Sequence, residues 1–151
     1  MSPNTSLTFN QLLKAVGAVA IGGALGTLAR DLLLHSNWLN YGAPTTGWYG
    51  YAPLRASWNT QIPWMLLLIN VVGVCLATSA LSGPLHHRDP NDLARLVIIT
   101  GFFGGFTSYS GLFVDISVVW HLSVGGGLLV AVGAVASGVA AGWLGLMIGR
   151  R

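Results

Sequence analysis

Charged side chains are scarce in this sequence of 151 residues, and glutamate is missing altogether. Asp, Lys and Arg make up only 7% of the residues, whereas soluble domains carry about 25% charged residues. A chain so poor in charge cannot cover a water-facing surface, which excludes an ordinary soluble domain. Cysteine occurs once, as Cys75, so no internal disulfide can form and the thiol does not indicate a redox compartment.

Apolar residues and glycine are abundant instead, at 53% and 21 residues, and the mean hydropathy is +0.66. Four apolar runs, at about 12–34, 63–81, 93–119 and 122–148, are each long enough to cross a hydrocarbon core of about 30 Å. A loop rich in Trp and Tyr, 35–62, has the composition of the membrane interface. We therefore predict an all-α integral membrane protein, one domain of four transmembrane helices. No small-residue cleavage site follows the first run, which disfavours a signal peptide.

The few cations predict an orientation, because they lie near the ends of the apolar runs. The net charge is +3, and two of the seven Lys and Arg residues, Arg30 and Arg55, fall on the side opposite the termini. The other five are on the side of the termini: Lys14, Arg88, Arg95, Arg150 and Arg151. The positive-inside rule then favours cytoplasmic termini in a multi-pass protein of the cell inner membrane. So few cations disfavour nucleic acid as a partner.

Polar residues inside the spans are the candidates for function, because lipid offers them no partner. Asn70 lies in the middle of the second span, with Gly73 on the same face. It either bonds a neighbouring helix or contacts an ion, and the residues alone leave both interpretations open. Arg30 ends the first span, where it either snorkels to the interface or attracts an anion.

The third span contains Gly104-Gly105 followed by Thr107-Ser108, which predicts a helix broken at Gly104–Ser108. A break frees carbonyls that can hold a cation and N–H groups that attract an anion. A close-packing glycine pair is the alternative interpretation. Ser137 is the main hydroxyl within the fourth span, and it either extends a polar path or is a small residue for packing.

These elements resemble, in their order and spacing, the CrcB/Fluc family of fluoride channels. The first span has GGALGTLAR at 22–30, similar to the family's Gly-rich helix ending in Arg. The second has the INxxG element at 69–73, and the third has GFFGGFTSYS at 101–110, which is similar to G-F-x-G-G-x-T-T-F-S-T-F. The resemblance covers nearly the whole chain.

The resemblance implies an antiparallel, dual-topology dimer of four-helix subunits, with two pores at the interface for passive fluoride export. It also implies a structural sodium ion on the two-fold axis, bound by backbone carbonyls of Gly104 and Thr107, and Arg30 near an aqueous vestibule. The fluoride pore would then be lined by Asn70, Tyr109, Ser110, Leu112 and Ser137.

The chain departs from the family's pattern at the two ring positions, which hold Tyr109 and Leu112 instead of two Phe, with Gly111 in place of Thr. Tyr109 keeps a ring and adds a hydroxyl, whereas Leu112 has no ring edge. A hypothesis consistent with these changes is a non-conducting or half-functional partner subunit of a heterodimeric channel. The sequence leaves homodimer and heterodimer open.

Two other classes of protein are disfavoured. A small multidrug exporter of four helices needs an ionisable carboxylate in a span, and this chain has no glutamate. An enzyme is disfavoured because no nucleophile–base pair or phosphate loop is evident. One polar loop does contain possible metal ligands: His86, His87, Asp89 and Asp92. We interpret this loop as a solvated connector between two spans.

Overall fold

The computed structural model describes residues 8–35, 59, 62–86 and 92–151. All regular structure in these residues is helical. In chain order the elements are α1 (Phe9–His35), α2 (Trp64–Ser82), α3 (Leu93–Arg95), a π-helical segment (Leu96–Phe103), α4 (Gly104–Phe106), α5 (Tyr109–Leu122) and α6 (Val124–Gly149). The predicted loop 35–62 lies mostly outside the described residues.

Four stretches of the described chain are long and apolar enough to cross a membrane: α1, α2, the composite 93–122 and α6. Their most apolar windows are only 11–33% buried within the subunit. Large side chains such as Val139 and Trp143 are 70% and 69% exposed. Helices that expose apolar residues on all sides require lipid or another membrane protein around them. The prediction of a four-span membrane protein is confirmed.

The helix ends have local causes that are visible in the sequence. Pro63, which has no N–H to bond, directly precedes α2, and α2 ends at Ser82 before Gly83 and Pro84. Ser123 caps α6, because its hydroxyl accepts the Gly126 N–H at 3.1 Å. Asp92 caps α3 by accepting the Ala94 N–H at 2.8 Å.

The helices associate in two layers of close contact, α1 with the first half of the third span and α2 with α6, and α5 also packs on α6. Glycine allows both contacts. A Cβ atom added at Gly101 would lie 2.8 Å from the Gly22 Cα atom, and one added at Gly145 would collide with the Cys75 carbonyl oxygen. Since apolar side chains gain little by leaving lipid, such backbone proximity is what holds membrane helices together.

One apolar core lies where α2, α5 and α6 meet. It consists of Ile62, Leu66, Leu112, Ile116, Val119, Val130 and Ala134. Because this core lies just beyond the start of α5, it fixes the second half of the third span against α2 and α6.

The third span is broken as predicted, but over a shorter length. Gly104, Gly105 and Phe106 remain α-helical, and only Thr107 (φ −82°, ψ 140°) and Ser108 (φ −145°, ψ 90°) are extended. The break therefore lies within the predicted stretch Gly104–Ser108, at its last two residues, while both glycines keep helical geometry. Gly105 packs against α1. The π-helical segment upstream was not predicted. Such segments often occur at functional sites.

Candidate ion pathway at the break of the third span

The break brings two helix ends of opposite polarity together. Thr107 ends α4, and its hydroxyl donates to the Phe103 carbonyl at 2.8 Å. Ser108 begins α5, and its hydroxyl accepts the Gly111 N–H at 3.2 Å. The end of α4 leaves carbonyl oxygens without helical partners, and the start of α5 leaves N–H groups without them. The unpaired carbonyl oxygens favour a cation, and the unpaired N–H groups favour an anion.

Asn70 fastens this break to α2. Its Oδ1 accepts the Ser108 backbone N–H at 2.7 Å, and its Nδ2 donates to the Leu66 carbonyl at 2.9 Å and to the Ser108 carbonyl at 3.4 Å. The side chain is only 2% exposed, and it is the one buried polar side chain among the described residues. Asn70 therefore contacts a neighbouring element as one of the two predictions requires, and one of its donors is held by a long bond.

A chain of polar side chains leads from the subunit surface to Asn70. Ser110 is exposed, its hydroxyl lies 3.4 Å from that of Ser108, and Ser108 bonds to Asn70 through its backbone. We call Asn70, Ser108 and Ser110 the polar chain. Ser108 is absent from the predicted pore lining, although a serine just before an apolar helix is the usual signal of an N-cap.

Tyr109 of α5 contacts α6 at Gly138. The Tyr109 hydroxyl lies in the space left by the missing side chain of Gly138, where an added Cβ atom would collide with it. Ser137, the next residue along α6, is partly buried and donates to the Ala134 carbonyl of its own helix at 3.0 Å. The structure thus brings Tyr109 against Gly138, the residue that follows Ser137 on α6.

Leu112 occupies a different environment from the other predicted pore residues. It is 1% exposed and belongs to the apolar core with Leu66 and Ile116. Its side chain contributes packing inside the subunit. Its predicted contact with fluoride stays a prediction.

The two predicted sodium ligands lie at the end of α4. Gly104 is exposed, and a Cβ atom added there would meet nothing within 4 Å. Thr107 is extended, which turns its carbonyl out of the helical ladder. The Gly105 carbonyl between them accepts a weak hydrogen bond from the Thr27 hydroxyl at 3.5 Å. Backbone carbonyl oxygens at the end of a helix suit a hard cation.

The remaining predicted residues lie away from the break or outside the description. Arg30 is partly exposed, five residues before the end of α1. Of the polar loop, His86 and Asp92 are described, whereas His87 and Asp89 lie outside the described residues. No group of three or more His, Cys, Asp or Glu side chains that could hold a metal is present in the described part of the chain.

The fold and the site define a small four-span membrane protein whose third helix is discontinuous at a buried amide. This chain belongs to the CrcB family, described as CrcB-like protein, Camphor Resistance (CrcB), which matches residues 17–146. The resemblance inferred from three short motifs is therefore confirmed over most of the chain.

Relatives from several bacteria carry one name, fluoride-specific ion channel FluC. The protein from Acidobacterium capsulatum is 34% identical over 134 residues, which cover 88% of this chain and 94% of the relative. FluC 2 of Leifsonia xyli subsp. xyli is 34% identical over 155 residues, covering 99% and 92%. The Paracoccus denitrificans protein is 32% identical over 133 residues, covering 87% and 91%. These names describe channels, in agreement with the prediction that this chain is not an enzyme.

Proposed function

We propose that this chain forms a fluoride-selective channel that lets fluoride leave the cell passively. The observation that carries the proposal is the polar chain, which leads from the exposed Ser110 to the 2% exposed Asn70 beside a broken helix. The names of the relatives support fluoride as the ion. The cell membrane, with cytoplasmic termini, is the proposed location.

Fluoride is small and strongly hydrated, so the protein must replace its water with hydrogen-bond donors. The Asn70 amide has two N–H groups. The one bonded to Leu66 at 2.9 Å is well held, whereas the one directed at Ser108 is at 3.4 Å. An anion can take over this second N–H at little cost, because a bond of that length is weak.

The hydroxyls of the polar chain add further donors, and the amino end of α5 favours negative charge next to them. Tyr109 supplies one more hydroxyl where α5 contacts Gly138 of α6, and Ser137 supplies another on α6. Leu112 lies inside the apolar core, so we propose that it excludes water behind these donors and does not bind the ion itself.

A second subunit completes the proposed pathway. Ser110 and Gly104 are both exposed on the isolated subunit, and exposed polar groups at membrane depth need a cover. A dimer in which two copies run antiparallel would cover both and place their polar chains side by side. The bilayer surrounds the rest of the apolar surface.

The residues at the break fit a structural sodium ion. The carbonyls of Gly104 and Thr107 would hold it, and the ion would tie the broken helices of two subunits together by charge. Hard cations are surrounded by about six oxygen ligands, and two carbonyls per chain are too few. The second subunit would therefore have to contribute its own pair.

A heterodimer is the second candidate, favoured by one contact. The Tyr109 hydroxyl fills the space at Gly138, and no second ring stands at Leu112. A subunit with this arrangement would serve as the half-functional or non-conducting partner of an unlike subunit.

Fluoride efflux from liposomes, followed with a fluoride electrode, tests the channel. Purified chain should release fluoride and retain chloride. Ser110→Ala should slow efflux about 5–13-fold, the effect of losing one hydrogen bond of about 1–1.5 kcal/mol. Ser117→Ala is the matched control, because Ser117 is exposed on the same helix and bonds only its own Val114 carbonyl.

The outcomes separate the two candidates. Efflux from the chain alone would refute an obligate partner. Efflux only after a similar four-span subunit is added would favour the heterodimer. Equal slowing by the Ser110 and Ser117 variants would contradict the polar chain as the pathway.

A further inference from the structure

A basic cleft lies at one end of the helices, away from the break. It is formed where α2 and α6 end and the third span begins, and its volume is about 1000 Å³. Three guanidinium groups line it, from Arg95, Arg150 and Arg151, together with the imidazole of His86. We propose that this cleft binds the phosphate headgroup of an anionic phospholipid from the surrounding bilayer.

The charge of the cleft suits a phosphate. Arg95 is the last residue of α3, and Arg150 follows the end of α6, so the cationic groups approach from two separate elements. None of the described residues that line the cleft is Asp or Glu. A guanidinium binds phosphate oxygens in a bidentate manner, and several around one site favour an anion over a zwitterion.

The position of the cleft favours a lipid over a free phosphate. Spans α2 and α6 end at its floor, at Ser82 and Gly149, which places it at the level of the headgroups. Leu81 and Leu146 form its apolar side. Beyond it on α6, Met147 is 53% exposed, on a surface that only acyl chains or another membrane protein can cover. A lipid uses both the basic and the apolar part, whereas free phosphate uses only the first.

Clefts of this kind, basic pockets between transmembrane helices at a membrane face, bind anionic lipid headgroups in other membrane proteins. Gly83 and Gly149 let the ends of α2 and α6 approach closely at the cleft, because a side chain at either position would meet the other segment's backbone. The proposal rests on the four-span fold and not on fluoride conduction, so the two can fail separately.

Native mass spectrometry of the detergent-solubilised protein tests the proposal by titration with phosphatidylglycerol or phosphatidylcholine of the same acyl chains. Phosphatidylglycerol should bind at least about 10-fold more tightly. Each of Arg150→Gln and Arg151→Gln should weaken its binding about five-fold, from the contribution of one basic residue near a lipid surface. Both side chains are exposed beyond the end of α6, so these changes leave the packing intact.

Lys14→Gln is the matched control, because Lys14 is an exposed cation on the predicted side of the termini but does not line the cleft. The Lys14→Gln protein should bind phosphatidylglycerol with the same affinity as the unchanged protein. Equal affinity for the two lipids would overturn the proposal, as would an equal loss in the Lys14 and Arg150 variants. Inorganic phosphate that displaces phosphatidylglycerol in proportion to its concentration would assign the cleft to free phosphate instead.

Discussion

Replacement of Asn70 by Ala should loosen the break of the third span. Three contacts would disappear, but they do not count equally. The Ser108 carbonyl keeps its bond from the Leu112 N–H at 3.1 Å, so losing the long Asn70 donor costs it little. The Ser108 N–H, in contrast, loses the acceptor it contacts at 2.7 Å. The unpaired N–H beside α2 is therefore the main source of instability.

The expected loss of stability has two sources: the unpaired Ser108 N–H and the cavity left by the Asn70 side chain. Leaving a buried donor unsatisfied costs about 1–3 kcal/mol. Removing a side chain that is 2% exposed adds a cavity contribution of about 1 kcal/mol. The free energy of unfolding should therefore fall by about 2–4 kcal/mol. Asn70→Leu refills the space without restoring the acceptor, so its loss should be about 1–3 kcal/mol.

Unfolding by SDS in mixed micelles measures these differences, and fluoride efflux from liposomes should be recorded on the same samples. Ser137→Ala is the control, because its hydroxyl bonds only the Ala134 carbonyl in its own helix. It should change stability by less than about 0.5 kcal/mol. A loss below that value for Asn70→Ala would refute the idea that Asn70 holds the break, whatever happens to efflux.

Two further predictions concern glycines at helix contacts, measured by the same unfolding assay. Gly22→Ala should destabilise the protein by about 1–3 kcal/mol, because the new methyl would collide with the Val97 carbonyl. Gly17→Ala is the control and should be neutral or stabilising by up to about 1 kcal/mol, because nothing lies within 4 Å of a Cβ atom added there. Equal effects of the two changes would contradict the close contact of α1 with the third span. Gly138→Ala should cost about 1–3 kcal/mol through its collision with the Tyr109 hydroxyl, and Tyr109→Phe should recover most of that loss. Additive effects of these two changes would contradict their contact.

The sequence was informative about the site wherever the chemistry is local. A polar residue in an apolar run is costly in lipid, which was enough to single out Asn70 before any partner was known. The Thr107-Ser108 pair was included in the predicted break for the same local reason. Within that predicted stretch the break falls at Thr107 and Ser108, while Gly104 and Gly105 keep helical geometry. Contact with α1 holds Gly105 in this case.

The environment of Leu112 and the partner of Asn70 lay beyond sequence reasoning. Leu112 matches a family position expected at the pore, yet it is 1% exposed in the core. Asn70 bonds Ser108, which is 38 residues away. The spans are apolar on all sides, so their sequences do not indicate which face meets which helix.

What the sequence by itself determined is the number of spans, their bounds to within a few residues and the presence of a break in the third. A single span must satisfy its own backbone hydrogen bonds in lipid, so run length and hydropathy are sufficient for these features. Only the tertiary structure decided that α1 packs on the first half of the third span, that α2 packs on α6, and that the buried amide closes on the break. These choices depend on where small residues let two backbones approach, and that is a property of pairs of helices.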